Sequence, residues 1–272
     1  MSDFAAKAGR LLETMRAHRP LVQNITNFVS MDVAANALLA VGASPAMVHA
    51  PEETPEFIAF SGALVVNIGT LSAPWLEAMH VAAAGAHALG KPWALDPVGA
   101  GATAFRNHAV EHLISLQPAL IRGNASEIMA VAKIAGVDVA AARPKGVDSA
   151  NATSEAEGAA AALARKLGCV VAATGAVDFV TDGTRTARFA NGSPLMERVT
   201  ALGCALTGVC GAFLAVEQDA FAATAAAIAM YGVAGEIAAA GVAGPGSFRV
   251  AFLDQLATIT PAQVAARLKV VA

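Results

Sequence analysis

The stretch IRGNASEIMA, residues 121 to 130, ends a run of strand-type residues at Arg122, turns at Gly123 and opens a helix with Asn124 and Glu127 three residues apart. Two chemistries suit that spacing. Asn-x-x-Glu is a capping box, in which the Asn side chain accepts from the N3 backbone N–H and the Glu side chain reaches back to the N-cap N–H. The same pair shares one face of the first helical turn and offers oxygen donors to Mg²⁺, a hard cation that keeps several of its waters. Arg122 beside them is a forked donor suited to phosphate. In WALDPVGAGATAF, residues 93 to 105, Asp96 closes a buried strand before Pro97 and a glycine-rich turn. It is either a turn former or a carboxylate aimed at a ligand, and Gly99 and Gly101 let backbone N–H groups approach an anion closely. This turn is neither G-x-G-x-x-G nor G-x-x-x-x-G-K-[ST], which disfavours dinucleotide-fingerprint and Walker-type readings.

The stretch VTALGCALTG, residues 199 to 208, puts Cys204 at the start of an apolar helix. A helix N-terminus presents free N–H groups and a partial positive charge, so it binds anions and lowers a thiol's pKa. A small buried apolar residue is the alternative role for a free cysteine. A cysteine hydrolase would need a histidine base, and His49, which follows a strand, is the one candidate. HAVEH, residues 108 to 112, has H-x-x-E-H spacing. It lies mid-helix, away from the strand ends and without a third ligand, and reads as a solvated helix face, since catalytic zinc takes three protein ligands.

The elements that must position these residues alternate along the chain. LVQNIT, PAMVH, ALVVNIG, PWALD, PALIRG and CVVAATG read as strands, several of them apolar on both faces. Helices with readable starts at Thr54-Pro55, Ser72 with Pro74, and Ser154 lie between them, and Gly42, Gly90 and Gly168 fall where C-caps belong. The N-terminal residues form an amphipathic helix opened by Ser2 or Asp3. This βαβα rhythm predicts an α/β fold with a largely parallel sheet between two helical layers. VDFVTDGTRTARFANG breaks the rhythm as a β-hairpin around Asp182-Gly183, residues 142 to 154 read as a mobile loop, and the last third reads as helical. Ligands in such folds bind at the carboxyl edge of the sheet. Asn24, Asn27, Asn67, Asp96, Arg122, Asn124 and Thr174 all interrupt or end the apolar runs there, which predicts a single crevice built from many strand ends.

Composition narrows the function classes. With 272 residues, no linker and no repeat, one domain over 1–272 is expected. A net charge of −3 and the lack of a basic run argue against nucleic acid. No run reaches the roughly 18 uninterrupted apolar residues of a membrane span; the stretch from Phe221 to Val242 reads as an amphipathic buried helix. The N-terminus lacks the pattern of a signal peptide. Three cysteines (Cys169, Cys204 and Cys210) with no C-x-x-C pair point to free thiols and a reducing cytoplasm. Only 14% of residues are charged, which suggests that partner subunits cover part of the surface.

Taken together, LVQNITNFVSMDVAANALLAVGASPAMV, LVVNIGTL, WALDPVGAGA, IRGNASEIMA, VAATGAVDFVTDG, PLMERVTALGCALTG and GPGSF resemble, in order and over nearly the whole chain, the hydroxyethylthiazole kinases of thiamine salvage, a branch of the ribokinase-like superfamily. The resemblance implies a three-layer α/β/α sandwich and transfer of the ATP γ-phosphate to the primary alcohol of 4-methyl-5-(2-hydroxyethyl)thiazole. It implies that Asn27 and Met47 line the thiazole pocket, with Ala201 and Gly203 at the acceptor turn. Arg122 and Thr174 would contact ATP, with Asn124 beside them, and Asp96 and Glu127 would organise Mg²⁺. Cys204 would stand where most ribokinase-like enzymes carry an aspartate base, positioning the acceptor or serving as a weak base. A cytoplasmic homotrimer is implied as well. The family usually reads Gly-Thr-Gly-Cys where this chain has Ala201-Leu202-Gly203-Cys204. Since alanine takes positive φ less cheaply than glycine, either the turn keeps its shape with negative φ at Ala201 or the pocket is altered. A hydroxymethylpyrimidine or pyridoxal kinase is the near alternative, with a Cys204 hydrolase and an inactive binding protein further off.

Overall fold

The computed structural model describes residues 2–138 and 152–271. Its strands are β1 (Leu21–Ile25), β2 (Ser44–Ala46), β3 (Ala63–Asn67), β4 (Trp93–Asp96), β5 (Leu120–Asn124), β6 (Val170–Thr174), β7 (Asp178–Thr181) and β8 (Thr186–Phe189). Its helices are α1 (Ser2–His18), α2 (Met31–Val41), α3 (Thr54–Phe60), α4 (Ala73–Ala88), α5 (Ala104–Ile114), α6 (Ala125–Ile134), α7 (Ala152–Leu167), α8 (Leu202–Leu214), α9 (Ala220–Ala238), α10 (Pro245–Thr258) and α11 (Pro261–Arg267). All eight strands form one sheet in the order β2-β1-β3-β4-β5-β6-β7-β8. The first six run parallel, and β7 and β8 close the edge as an antiparallel hairpin.

Helices cover both faces, as buried apolar strands require. One core gathers residues of α1, α2 and α8 to α11 against the sheet, and a second gathers α3 to α7 against the opposite face. The layers are therefore α/β/α. Small residues let α8 approach closely: a Cβ at Gly211 would stand 2.6 Å from Val65 Cγ2. Helix α9 is long and apolar enough to cross a membrane by length and composition, but 78% of it is buried in the fold. It is enclosed on nearly every side rather than amphipathic, and alanine and glycine make that enclosure possible.

The hairpin turns at Asp182-Gly183, with Asp182 Oδ1 accepting from the Thr184 and Arg185 N–H groups and Gly183 at φ 90°. Strand β2 is shorter than the run PAMVH suggested and ends at Ala46, which leaves Met47 just beyond its carboxyl end. Helix α7 begins at Ala152 rather than at Ser154. The loop expected over 142–154 lies outside the described residues as far as residue 151.

Candidate active site

Strand β1 lies between β2 and β3, so the chain's crossovers leave it in opposite directions, and ligand crevices open at such switch points. Asn27 follows β1, Met47 follows β2, and Asn67, Asp96, Asn124 and Thr174 end β3, β4, β5 and β6. Asn67 and Asp96 are direct register partners. The expected gathering of strand-end residues at one edge is thus observed.

Asp96 is 1% exposed. Its Oδ2 accepts from Thr207 Oγ1 at 2.8 Å and lies 3.8 Å from Arg122 Nη1, while its Oδ1 has no partner. Burial pushes its pKa up to about 6, against the pull of Arg122 and the Thr207 hydroxyl. Arg122 is also nearly buried and donates through Nη2 to Thr174 Oγ1. A Cβ at Gly203 would stand 2.9 Å from Arg122 Nη1, so the guanidinium lies directly against the first turn of α8. No side chain caps that turn, and N–H groups of a helix N-terminus beside a guanidinium are a setting that suits an anion.

Ala201 caps α8 with φ 67° and ψ 2°. Of the two alternatives, negative φ at Ala201 or an altered pocket, the first does not hold: the turn keeps a left-handed residue despite its Cβ. What holds it is tertiary. Tyr231, itself buried, donates from its hydroxyl to the Leu202 carbonyl at 2.8 Å, and the Leu202 side chain is turned into the core. The left-handed region costs an L-residue about 1–2 kcal/mol. Ala201→Gly is accordingly expected to stabilise the protein by about 1 kcal/mol in denaturant titration, with kcat close to the parent's because the turn already has its shape. A large change in kcat would mean that alanine alters the site itself.

Cys204 receives a hydrogen bond from Asn27 Nδ2 at 3.5 Å. Burial, and then the negative charge of Asp96, push its thiol pKa up against the pull of that bond. A neutral thiol is a poor nucleophile. His49 is engaged elsewhere, stacked on Trp75 at 4.1 Å with Nδ1 3.2 Å from the Met47 carbonyl. No histidine is among the groups acting on Cys204.

Asn124 and Glu127 form a complete capping box: Asn124 Oδ1 accepts from Glu127 N, and Glu127 Oε2 from Asn124 N, both at 2.9 Å. Glu127 Oε1 accepts from Gly99 N at 3.0 Å, and Gly101 N donates to Asn107 Oδ1. The glycine-loop N–H groups expected to meet a ligand anion are thus spent on the protein's own acceptors. The loop instead fixes Glu127 beside Asp96, close enough that the two charges interact. In HAVEH, His108 and His112 lie on the exposed face of α5 with rings 4.2 Å apart.

Three site residues had no role in the sequence reading. Thr207 lies three residues after Cys204, and that helical spacing was the available signal for its share in the site. Tyr231 and Arg106 gave none. Arg106 donates to the carbonyls of Ile68, Gly69 and Val98, pinning the loops after β3 and β4 to each other; such a carbonyl cluster exists only after folding.

A cavity of about 700 Å³ extends from Arg122, Thr174 and Gly203 over Asp178, Leu206 and Tyr231. Asp178 accepts from Gly175 N, and burial raises its pKa from 3.8 to about 6. Because its folded value lies above the ordinary one, ionised Asp178 is a cost above pH 6 that is relieved as pH falls toward 4. Asp178→Asn is expected to raise the thermal midpoint at pH 8 and to lose most of that advantage by pH 4.5. An equal gain at both pH values would refute a charge effect.

The mostly parallel α/β/α sheet, with Asp96 and Arg122 at its carboxyl edge, has the ribokinase-like fold. A Staphylococcus aureus pyridoxal kinase solved with AMP-PCP and pyridoxal shares this fold at TM-score 0.58, with 13% identity over 80% of this chain and 88% of that one. The chain belongs to the hydroxyethylthiazole kinase family, whose profile matches residues 12–262. A hydroxyethylthiazole kinase from Cereibacter sphaeroides is 58% identical over 93% of this chain and 94% of its own. The solved hydroxyethylthiazole kinase from Pyrococcus horikoshii superposes at TM-score 0.89, with 41% identity over 97% of both chains.

Proposed function

We propose that this chain, as a hydroxyethylthiazole kinase, transfers the ATP γ-phosphate to the primary alcohol of 4-methyl-5-(2-hydroxyethyl)thiazole within this crevice, in thiamine salvage. One observation carries the reading. The acceptor-side pair Asn27–Cys204 and the phosphate-side group Arg122–Thr174–Asp96 converge at the N-terminus of α8.

ATP occupies the large cavity, its phosphates against Arg122, Thr174 and the N–H groups of Gly203 and Cys204, with Asn124 at the rim. The thiazole lies on the other side, against Asn27 and Met47, with Ala201 and Gly203 at the turn between the two. Phosphoryl transfer asks mainly for alignment and charge neutralisation. Arg122 and the α8 N-terminus are fixed before substrate arrives, so they stabilise the travelling phosphoryl group without reorganising.

The residues present suit Mg²⁺: Asp96 Oδ1 is a buried carboxylate oxygen with no partner, and oxygen donors are what a hard cation takes. Asp96 would hold the ion, with Glu127 acting through water because both its oxygens already accept backbone N–H groups. Bound there, the ion would neutralise charge on the β- and γ-phosphates.

Cys204 positions the acceptor, and its neutral thiol suits a weak base or none. Cys204→Ala is therefore expected to lower kcat roughly tenfold, below the 10²–10⁴ of a positioned general base. Near-complete loss with a trapped covalent adduct would return the hydrolase reading.

A single domain over the whole chain, a homotrimer and a cytoplasmic setting belong to the same reading. Exposed apolar side chains at Phe28, Val29, Leu39 and Val250 support coverage by a second copy. Three free thiols support a reducing compartment. The deciding assay measures ADP formation with ATP and Mg²⁺ across hydroxyethylthiazole, hydroxymethylpyrimidine and pyridoxal. Turnover is expected with the thiazole alcohol, and its absence would overturn the reading.

A further inference from the structure

Two amide side chains link the halves of the site, and their orientation is fixed by backbone donors. Asn27 Oδ1 accepts from the N–H groups of Val29 and Ser30 at 3.1 and 3.0 Å. A backbone N–H can only donate, so the other end of Asn27 is its NH₂. That NH₂ donates to Asn67 Oδ1 at 2.7 Å and to Cys204 Sγ at 3.5 Å. Asn67 Oδ1 also accepts from Gly69 N at 3.0 Å, so its free end is likewise an NH₂. Gly69 packs against the pair: a Cβ there would fall 2.5 Å from Asn27 Nδ2.

The relay therefore runs from backbone donors through Asn27 to Asn67. Asn67 is 1% exposed, and its Nδ2 meets no acceptor in full hydrogen-bond geometry. Its strand neighbour Asp96 has an equally unpartnered Oδ1. The Asn67 Nδ2 faces Asp96 on the phosphate side and Cys204 on the acceptor side, closely enough that its N–H groups lower the pKa of each. A buried donor without a well-aligned acceptor is costly, and one held rigidly between these two groups is placed for a ligand atom that enters there. The substrate atom that must lie where those two sides meet is the reacting oxygen.

We infer that Asn67 is a catalytic residue whose Nδ2–H donates to the hydroxyl oxygen of the acceptor alcohol. The inference rests on the kinase reading above. One lone pair of the alcohol oxygen accepts from Asn67, which leaves the other aimed at the γ-phosphorus. In the transfer that second pair forms the new P–O bond. The bond from phosphorus to the β,γ-bridging oxygen breaks, with its electron pair remaining on ADP. The hydroxyl proton leaves late, to a non-bridging oxygen of the transferred group, and Asn67 exchanges no proton.

The test compares the parent, Asn27→Ala, Asn67→Ala and the double variant, with Asn67→Val, which also lacks a donor, in place of alanine if that variant does not fold. Calorimetry measures the affinity of each for hydroxyethylthiazole and for 4-methyl-5-ethylthiazole, which lacks the hydroxyl, and for ATP. Steady-state assays give kcat and KM. Asn67→Ala is expected to abolish the preference for the hydroxyl-bearing ligand and to lower kcat/KM for the acceptor by about 10²-fold. At least tenfold of that loss should persist in the Asn27→Ala background. If Asn67→Ala adds nothing to Asn27→Ala, the residue is a strut for Asn27 and the inference fails. It fails equally if ATP affinity falls while the hydroxyl preference stays. A parent that turns over no thiazole alcohol would overturn the kinase reading, a result distinct from either.

Discussion

Arg122→Met is expected to slow phosphoryl transfer by about 10³- to 10⁵-fold, the range in which arginines that stabilise transferring phosphate act. The size follows from how many parts of the site meet at this guanidinium. It donates to Thr174, lies 3.8 Å from Asp96, and packs on the uncapped first turn of α8 so closely that Gly203 has no room for a Cβ. Its Nε is buried and without a partner. Methionine keeps the apolar stem and removes only the charge and the fork. Arg122→Lys restores a charge without two-point geometry, so it should fall between the two. The check is kcat in a coupled ADP assay beside the thermal midpoint of each variant. A loss below tenfold for Arg122→Met would remove Arg122 from the phosphate site.

Asp96→Asn should separate activity from stability. Turnover is expected to fall about 10³-fold, because the group proposed to hold the ion that neutralises the phosphates is lost. The folding midpoint is expected to hold or rise. Asp96 is almost wholly buried, one of its oxygens has no partner, and Arg122 at 3.8 Å is too far for a direct hydrogen bond. Asparagine still accepts from Thr207 and no longer places a charge in the interior. A purely structural Asp96 predicts the reverse, a fallen midpoint and near-normal kcat. Raised Mg²⁺ should recover part of the lost rate, since weakened binding is overcome by mass action. No recovery at any concentration would argue against a metal role.

Much of this fold is legible in the sequence because the signals are local. Apolar runs such as ALVV and VVAA mark strands covered on both faces, and glycines at 42, 90 and 168 stand at helix ends with positive φ. The hairpin follows from Asp182-Gly183. The gathering of Asn27, Asp96, Arg122 and Thr174 at one edge follows from strand direction alone, because parallel strands deliver their carboxyl ends together. Strand β2 was less legible. PAMVH reads as five strand residues, but the strand ends at Ala46 and leaves Met47 just beyond it.

Residue types and their order by themselves determined an α/β sandwich, a helix start at Asn124 with Glu127 three residues on that suits a cap or a cation, and a cysteine at a helix start that need not be a nucleophile. The tertiary structure alone decided how those groups are set. It holds Ala201 left-handed, through a core that takes Leu202 and a tyrosine 29 residues away on its carbonyl. It raises Asp96 and Cys204 by burial, and it spends the Gly99 N–H on Glu127 rather than on a ligand. It also sets the Asn67 amide between Asp96 and Cys204 with no acceptor in full hydrogen-bond geometry. Each of these depends on which distant atoms share a hydrogen bond or a desolvated space, and local sequence patterns do not carry that information.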